Sequence, residues 1–481
     1  MAVRGKAALR ALVHFRSFIA GLIIIVFFIS LSVYAAVTWP YEEAIAKWNN
    51  AEAWADIPEW APPAWMQYFT GRKEIVGSLY IDRFNVPRRF VNMSTEIQYG
   101  GLEIRRVEIN FTYDYDVFPR SGRLTIQPVP RNDTELTKNI GVRVTLVKPN
   151  GLNITLYEGL ISPRGTTIGI IRQPGEEHPV VRRYRALLRR TYDVNLTVSL
   201  DPVQVLFMDD EEFVNSNQTS IRPLKGSYML LYEYFVVTGL ETLEVQLLLR
   251  GTLYGLLGTD WQGRDLFMGI AWGAPIALSF GLLASLITTL LIMVIAATAA
   301  WFRGAVDEGV SRVNEIFMII PFLPTLVLIM LFYGFTVWTL LLMVIFLSTL
   351  GSGGLKTQRA MFLQIREMPY IEAARAYGAS SFRIVFRYMV PRVLPVLIPG
   401  IVTSVPSFVF LEAALALLGI SDPRTITWGK ILNEALEKQA LFVGAYHWIL
   451  APSVSLMLLS IAFAMIGFTL DRVFNPRLRQ L

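Results

Sequence analysis

Side chains that perform catalysis are scarce in this sequence. It contains no cysteine, which excludes disulfides, zinc–thiolate sites and thiol nucleophiles. Its three histidines, His14, His178 and His447, are far apart along the chain, so we expect interfacial or structural histidines rather than a histidine-rich metal site. The sequence therefore predicts neither a catalytic centre nor a metal site on this chain.

The segment GSGGLKT, residues 351–357, partly resembles a phosphate-binding loop. Such a loop requires the pattern G-x-x-x-x-G-K-[ST] after a β-strand. Here Leu355 precedes the lysine, and the segment ends an apolar run instead of following a strand. We therefore expect no nucleotide to bind to this chain.

A short charged segment, PYIEAARAYGASSFR (residues 369–383), lies between two apolar runs. Its small side chains, which permit close approach to another backbone, are those of Ala373, Ala374, Ala376, Gly378 and Ala379. Gly378 permits a sharp turn, and Ser380 or Ser381 can cap the helix that follows. Two interpretations are open: a helix that docks into a partner protein through its small residues and arginines, or a basic helix that binds anionic lipid.

Membrane-spanning helices must position this segment. Hydrophobic residues make up 53% of the 481 residues, charged residues only 17%, and the mean hydropathy is +0.44. A helix needs about 20 apolar residues to cross a bilayer. Uncharged runs of this kind predict six spans, located at 18–38, at 266–302, twice within 316–355 with a break near Gly334, at 393–411 and at 448–470.

Lysine and arginine clusters orient the predicted spans. They lie at residues 4–16, 303–312, 356–392 and 472–479, and with six spans all four clusters fall on one side. The positive-inside rule makes that side cytoplasmic, so both termini are expected there and residues 39 to about 265 outside. The first run is longer than a signal-peptide core, which favours an uncleaved anchor. The net charge of +6 does not predict a nucleic-acid partner.

The predicted external region has two parts. Residues 39–71 carry five tryptophans, which predict an amphipathic segment at the outer membrane interface, with an aromatic ligand platform as the alternative. Residues 72–250 alternate apolar and polar side chains and predict a β-sandwich-like domain. A hairpin is expected around Asn150-Gly151, and further strands include NLTVSL at 195–200.

Glycosylation sequons occur only in this predicted external region. Their acceptor residues are Asn92, Asn110, Asn132, Asn153, Asn195 and Asn217. Their confinement favours a glycosylated exterior, although β domains are also rich in asparagine, serine and threonine. Sequons without cysteine in an external domain suggest an archaeal host.

Several motifs together resemble one known family. Glu372-Ala373-Ala374, Gly378 and Val390-Pro391 have the spacing of the EAA loop of ABC-importer permeases. GTDWQGRD (258–265), SFVFLEAALALLGI with TWGKIL (407–432) and GFTLDRVFNPRL (467–478) resemble the second-permease subfamily of dipeptide and oligopeptide importers. The resemblance covers the first span and residues 255–481, not residues 39–250. Family arginines are absent near Met268-Gly269 and Gly273-Ala274-Pro275, which puts details of the outer gate in doubt.

The resemblance implies an α-helical polytopic importer-permease fold, a permease core at 251–481 and a coupling loop at about 356–392. It implies that an ATPase docks on a coupling surface made of Glu372, Ala373, Ala374, Arg375, Gly378, Ala379 and Ser380. The implied partners are a homologous permease in a heterodimer, two ATPase subunits that bind ATP and magnesium, an external substrate-binding protein and membrane lipid. The chain itself is then a non-catalytic subunit in a prokaryotic plasma membrane.

Two further sites have alternative interpretations. Residues Gly258, Asp260, Gly263, Arg264 and Asp265 form either a tight turn that caps the second span or a gate in which Arg264 and Asp265 pair across the outer mouth. Glu412 lies within a span, where a charge is costly, and either pairs with the partner permease or contacts the cargo.

Other functions stay open from the sequence alone. Peptide is the cargo that the resemblance implies, and oligosaccharide is the alternative. Functions from other classes are a membrane-anchored surface receptor or adhesin and an ion-coupled transporter. We expect the β-rich region to guide the binding protein, with a passive spacer or a cargo-binding domain as alternatives.

Overall fold

A computed structural model describes residues 12, 14–87, 90–98, 102–131, 136–171, 176–334 and 336–474. The chain divides into two compact units. One, called here the helical unit, comprises Met1–Asn50 and Leu266–Leu481, and the other, the β domain, comprises Ala51–Asp265. The expected start of the β domain at residue 72 is too late, because residues 51–71 belong to it. The carbonyl of Ala55, for example, accepts a hydrogen bond from the Arg250 guanidinium (3.0 Å).

Sixteen helices are found among the described residues. In chain order they are α1 Arg16–Thr38, α2 Tyr41–Asn49, α3 Gln67–Thr70, α4 Pro179–Tyr192, α5 Pro202–Phe207, α6 Asp210–Asn215, α7 Leu266–Phe302, α8 Gly304–Ile319, α9 Phe322–Tyr333, α10 Val337–Leu350, α11 Gly353–Arg366, α12 Pro369–Ala376, α13 Ser381–Leu417, α14 Trp428–Glu437, α15 Ala440–Val443 and α16 Tyr446–Phe474. Within α13, residues Ile384–Met389 form a π-helical segment.

Four of these helices, α1, α7, α13 and α16, are long and apolar enough to cross a membrane. The number rises to six if each of two bent pairs, α8 with α9 and α10 with α11, counts as one span. The predicted break near Gly334 is confirmed, since Gly334 ends α9 with φ +84°. The first of the two spans expected within 316–355 is not one continuous helix. The chain bends by 88° between α8 and α9, because Pro321 forces Ile320 into an extended conformation.

The five tryptophans of residues 39–71 do not form one interfacial surface. Trp48 is 1% exposed and packs in the helical unit, where its ring contacts Gly269 of α7. Trp54 is 2% exposed and belongs to the β domain. Only Trp65 of the five is strongly exposed, at 46%. The segment is therefore divided between two cores, and both sequence interpretations of it as a single surface are wrong.

Among its described residues, the β domain contains nine antiparallel strands in two sheets. The strands are β1 Ser78–Ile81, β2 Val91–Gln98, β3 Leu102–Tyr113, β4 Ser121–Pro130, β5 Ile140–Val147, β6 Asn153–Ile161, β7 Thr166–Ile170, β8 Gly226–Phe235 and β9 Leu240–Arg250. One sheet has the order β1-β9-β4-β7 and the other β2-β3-β8-β5-β6. Alternating side chains of both sheets, such as Leu247 and Leu230, meet in one buried cluster. The predicted β-sandwich architecture is confirmed for these residues.

Local sequence patterns in this domain led to one correct prediction, one wrong prediction and one omission. The hairpin between β5 and β6 is confirmed, and Gly151 has the positive φ of +82° that its turn requires. The predicted strand at 195–200 is wrong, because this segment runs as an irregular connection between α4 and α5. The sequence analysis also missed α4, whose buried residues Val180, Tyr184 and Leu188 have helical spacing.

Candidate functional site

The small-residue segment 369–383 folds as a short helix followed by a turn. Pro369 occupies the first position of α12, Glu372 lies in its first turn and Arg375 in its last turn, which suits the helix dipole. The chain then reverses at Gly378, with φ +75°, where the N–H of Gly378 donates to the carbonyl of Arg375 (2.9 Å). Ser380 caps α13 by accepting from the N–H of Arg383 (3.4 Å).

Most of this segment faces outward from the helical unit. Glu372, Ala373, Arg375 and Gly378 are exposed, while Ala374 and Ala379 are partly covered. Two aromatic side chains stand beside the turn, Tyr377 at 92% exposure and Phe382 at 73%. A Cβ atom built at Gly378 meets no atom within 4 Å. The segment thus presents a shallow surface of small side chains bordered by exposed aromatic rings.

One side chain anchors this surface to the long helices. Ile371 is 1% exposed and packs in a cluster with Trp301 at the end of α7 and with Val385 and Met389 near the start of α13. The guanidinium of Arg375 lies 5.0 Å from the centre of the Trp301 ring, a cation–π contact. Displacement of α12 must therefore strain both α7 and α13, which suits a segment that transmits motion into the helices.

The motif GTDWQGRD forms a compact, buried turn in the β domain. Gly258 and Gly263 both have positive φ, and a Cβ at Gly263 would come within 2.8 Å of the Ile57 carbonyl oxygen. The Asp260 carboxylate accepts from the backbone N–H groups of Gln262 (2.8 Å) and Arg264 (2.9 Å) and pairs with the Arg264 guanidinium. The structure therefore contains a tight turn at this motif. A gate formed with a partner chain stays a prediction.

The turn contains a buried pair of opposite charges, Asp260 and Arg264. Burial raises the pKa of Asp260, and the Arg264 guanidinium and two backbone N–H groups oppose that rise. Arg264 is as deeply buried as its partner, with 5% of its side chain exposed against 0% for Asp260. Removing either charge would leave the other buried without its counter-ion. Asp265 pairs with Thr259 in a β-bridge that closes the turn.

Glu412 lies at the contact between α13 and α14. It is 7% exposed, and its carboxylate hydrogen-bonds to the side chain of Thr427, which also caps α14 by accepting from the N–H of Lys430 (3.1 Å). Trp428 donates from Nε1 to the carbonyl of Ile270 in α7 (3.0 Å). A Cβ at Gly429 would lie 2.7 Å from Cα of Ala413, so α14 packs tightly on α13. Contact of Glu412 with cargo or with a partner permease stays a prediction.

Four of the described sequon asparagines are exposed and one is partly buried. Asn92, Asn153, Asn195 and Asn217 are exposed, and Asn110 on β3 is partly buried. Asn132 lies outside the described residues, as do Arg4, Lys6 and Arg10 of the first basic cluster and Arg477 and Arg479 of the last. The positions of the described asparagines are compatible with glycans, and their occupancy stays a prediction.

The remaining sequence expectations concern nucleotide and metal. Residues 351 and 352 join α10 to α11, residues 353–357 begin α11, and Ser352 caps α11 by accepting from the N–H of Gly354 (2.9 Å). The segment thus follows a helix instead of the β-strand that a phosphate-binding loop requires. Among the described residues, no group of three histidine, aspartate or glutamate side chains could hold a metal ion.

Comparison with known proteins identifies the family. The family described as binding-protein-dependent transport system inner membrane component matches residues 290–480. A putative peptide transport system permease protein of Brucella suis is 30% identical over 225 residues, which cover 47% of this chain and 74% of that protein. This chain belongs to that family of transport permeases.

Two further relatives have similar coverage. The dipeptide transport system permease protein DppC of Bacillus subtilis is 28% identical over 225 residues, 46% of this chain and 69% of the relative. The oligopeptide transport system permease protein OppC of Escherichia coli is 28% identical over 222 residues, 46% of this chain and 72% of the relative. The matched part of the permease, residues 290–480, includes α12 and Gly378, whereas the β domain lies outside it. The family resemblance inferred from the motifs is thus confirmed.

Sequence reasoning missed the residues that anchor and surround these motifs. It did not single out Trp301 or Ile371, although a tryptophan two residues before Arg303, at the end of an uncharged run, is a usable signal. It also missed a buried ion pair in the β domain between Lys148 and Asp210, 2.8 Å apart with 0% exposure on both sides. Partners from distant parts of the chain create both features, and no local pattern marks them.

Proposed function

We propose that this permease is the membrane-spanning, non-catalytic subunit of an ATP-driven importer that carries dipeptides or oligopeptides. Membership of the binding-protein-dependent transport family supports the transport role. The relatives named above are permeases of dipeptide, oligopeptide and peptide transport systems, which supports peptide as the cargo. Oligosaccharide is the alternative cargo.

The observation that carries this proposal is the geometry of the segment around α12. It offers small, exposed residues ending at Gly378, and it is tied through Ile371 to both α7 and α13. In the proposed mechanism an ATPase subunit docks on this surface, and ATP and magnesium bind to the ATPase. Closure of the ATPases moves α12, and the helices shift between inward-open and outward-open arrangements. The required physical property is a two-state bundle whose equilibrium the docked ATPase biases.

The proposed assembly contains a homologous permease chain, two ATPase subunits and an external substrate-binding protein. In the proposed orientation the basic clusters and α12 face the cytoplasm, both termini lie there, and the β domain lies outside. Exposed Asn92, Asn153, Asn195 and Asn217 suit that placement, and mass spectrometry of protein from the native host would contradict the glycosylation if all of the sequons were bare.

We further propose that the β domain guides the substrate-binding protein at the outer mouth. Its last residue, Asp265, directly precedes Leu266, the first residue of α7, so the domain is covalently joined to a long apolar helix. Replacing residues 72–250 by a Gly/Ser linker should weaken the stimulation of ATPase activity by loaded binding protein. Unchanged stimulation and half-saturation would favour a passive spacer instead.

The docking surface is tested with Gly378→Trp in the complete complex. A bulky ring at this position should block ATPase co-purification and abolish uptake, because the turn must approach the partner closely. Gly378→Asn keeps a residue that tolerates positive φ and separates loss of the turn from steric blockage. Gly71→Trp is the matched control, since Gly71 also has positive φ (+62°) and an added Cβ there meets no atom within 4 Å, but it lies in the β domain. Normal uptake by Gly378→Trp would contradict the docking assignment.

A further inference from the structure

The β domain carries a group of exposed apolar side chains around its short helix α3. Tyr68 is 81% exposed and Phe69 82%, and Trp65 and Leu256 are exposed beside them. The rings of Trp65 and Phe69 meet edge to face, with their centres 6.1 Å apart. Nε1 of Trp65 donates to the carbonyl of Leu256 (2.9 Å), which holds the two segments side by side. These four residues form one surface, called here the α3 patch.

The α3 patch differs from the single surface that the five tryptophans of residues 39–71 predicted. It contains only one of those tryptophans, Trp65, and its other rings are those of Tyr68 and Phe69. Its fourth member, Leu256, follows Trp65 by 191 residues and comes from the other end of the β domain. The patch is therefore assembled by the tertiary structure and not by one stretch of sequence.

The two segments that build the patch contain no charged side chain. Aspartate, glutamate, lysine, arginine and histidine are absent from residues 60–71 and 251–259. Leu160 on β6 shows the contrast, because this exposed side chain lines a cleft together with the charged Arg143 and Glu158. A single exposed apolar residue among charges is ordinary on a protein surface, whereas a contiguous uncharged patch marks a surface of contact.

Backbone hydrogen bonds hold the patch beside the last residues of the β domain. The N–H of Ala64 donates to the carbonyl of Gly255 (2.9 Å). The N–H of Thr259 donates to the carbonyl of Ala61 (2.8 Å). The chain that leads into α3 is therefore paired with the chain that leads out of the domain, and the position of the patch is fixed relative to that exit.

Chain geometry limits how far the patch can lie from the start of α7. Leu256 precedes Thr259 by three residues, which span at most about 11 Å. Thr259 and Asp265 form an antiparallel bridge, which places their Cα atoms about 5 Å apart. Leu256 therefore lies within about 17 Å of Asp265. The next residue, Leu266, begins an uncharged helix that is long enough to cross a membrane.

The shape and the residue types of the patch favour lipid over a protein partner. Tyr68 and Phe69 project from a helix of only four residues, and a folded partner would need a fitted pocket for each ring. Lipid rearranges around such rings, and tryptophan and tyrosine are enriched where a membrane meets water. A helix this short leaves backbone groups at both ends unpaired, which suits the hydrated interface and excludes the hydrocarbon core.

We propose that the α3 patch inserts into the interfacial region of the lipid bilayer and holds the β domain at the membrane surface. Its side chains reach about 5–10 Å into the boundary between headgroups and acyl chains. This contact adds a second attachment to the covalent links that join the β domain to the helical unit after Asn50 and before Leu266. The lipid belongs to the outer leaflet in the proposed orientation, and only this choice of leaflet rests on the proposed function.

The test places a fluorescent label on the patch, which the cysteine-free sequence makes simple. Phe69→Cys is labelled with a nitrobenzoxadiazole dye in the full chain, purified with its associated subunits and reconstituted in vesicles of phosphatidylcholine and phosphatidylglycerol. Its emission should shift to shorter wavelength and be quenched by spin-labelled lipid. Leu160→Cys is the matched control, because Leu160 is an apolar side chain of the same domain with similar exposure, at 68%. Its label should be quenched only by iodide in the water.

Spin labels at two depths measure how far the patch inserts. A spin label near the headgroup end of the acyl chain should quench the dye at residue 69 about twofold more strongly than one at the methyl end, because the patch stays in the interface. Stronger quenching by the deep spin label would place α3 in the hydrocarbon core and contradict the interfacial assignment.

A second labelling position tests whether the patch acts as one surface. Leu256→Cys carrying the same dye should also be quenched by spin-labelled lipid. Adding Tyr68→Ser and Phe69→Ser should lower that quenching to the level of Leu160→Cys, because the two most exposed rings no longer anchor the patch. The thermal unfolding midpoint should stay unchanged, since both rings project out of the domain, and an unchanged midpoint excludes misfolding as the cause. Full quenching at residue 256 without the two rings would show that they do not anchor the domain.

The remaining outcomes overturn the proposal in two distinct ways. Equal quenching by iodide at residues 69 and 160 would mean that the patch stays in water. Protection of residue 69 from iodide without quenching by spin-labelled lipid would mean that a protein subunit covers the patch. None of these measurements depends on transport, so quenching by lipid in a chain that imports no peptide would refute the proposed function and leave the membrane contact intact.

Discussion

Two buried polar sites, one in the β domain and one in the helical unit, have their hydrogen bonds supplied to different extents. In the β domain, Asp210 accepts from Lys148 (2.8 Å), Tyr184 (2.6 Å) and Asn150 (2.8 Å), and Lys148 also donates to the Met208 carbonyl (3.0 Å). In the helical unit, the buried oxygens of Thr288 and Gln358 have no partner among the described residues. The first network is complete within the protein, whereas the two oxygens of the second site are buried without a partner among the described residues.

The two sites differ in charge, and charge decides how much it costs to leave a buried group without a partner. A buried charge survives only when its hydrogen bonds are supplied, and the β domain supplies them from three separate parts of its chain. Neutral hydroxyl and amide groups cost less to leave unpaired than charges do, so the helical unit can keep two such oxygens buried without a partner among the described residues. The residues that match the family, 290–480, lie in the helical unit, and the β domain lies outside the match.

The largest expected effect is loss of the buried pair. Asp210→Ala leaves Lys148 charged and buried, and should lower the free energy of unfolding of the β domain by about 3–5 kcal/mol. Hydrogen exchange of the β5 amides in the full chain measures it. The double variant Lys148→Met with Asp210→Leu should recover much of the loss, because it removes both charges. The matched control is Glu158→Ala, which breaks an ion pair exposed by more than half and should cost less than about 1 kcal/mol. Equal effects of Asp210→Ala and the control would contradict the comparison.

An intermediate effect is expected from crowding a close helix contact. A Cβ at Gly273 of α7 would overlap the ring of Trp428, so Gly273→Ala should cost about 1–3 kcal/mol and lower the thermal unfolding midpoint of the detergent-solubilised protein. Gly309→Ala is the control, because Gly309 also lies within a helix but has no atom within 4 Å of the added methyl position. A drop for the control equal to that for Gly273→Ala would show that close packing does not explain the loss.

The smallest effect concerns acid stability of the β domain. Burial raises the pKa of Asp82, but hydrogen bonds from Gln246, Asn85 and Phe84 lower it more, so its net pKa lies below the usual 3.8. A depressed carboxylate pKa stabilises the fold above the unfolded pKa, and that contribution is lost as pH falls through the folded pKa. Asp82→Asn should therefore be less stable by about 1 kcal/mol at neutral pH, and the difference should disappear in acid. If the difference in stability between Asp82→Asn and the unaltered protein persists at all pH values, its cause is packing and not the charge of Asp82.

Sequence reasoning succeeded where a signal is local. The apolar runs located the long helices, and Gly334 and Gly151 marked real turns. The spacing around Gly378, together with the motifs at 258–265, 407–432 and 467–478, identified the family. It failed at residues 39–71, where Trp48 and Trp54 belong to different cores, and at 195–200, where an alternating pattern does not form a strand. Alternation of apolar and polar residues indicates which side chains can be buried. Whether the segment forms a strand depends on a neighbouring strand with which it can form hydrogen bonds.

The sequence by itself determined that this chain is a multi-pass membrane protein with an inserted β-rich region and a small-residue segment between two apolar runs. These properties depend on run length, alternation and glycine positions, which are read residue by residue. Only the tertiary structure decided that Ile371 meets Trp301, that Lys148 finds Asp210, and that Thr288 and Gln358 share one cavity. The members of each pair are far apart in sequence, and the energy of a buried contact depends on which groups meet, which composition and spacing do not specify.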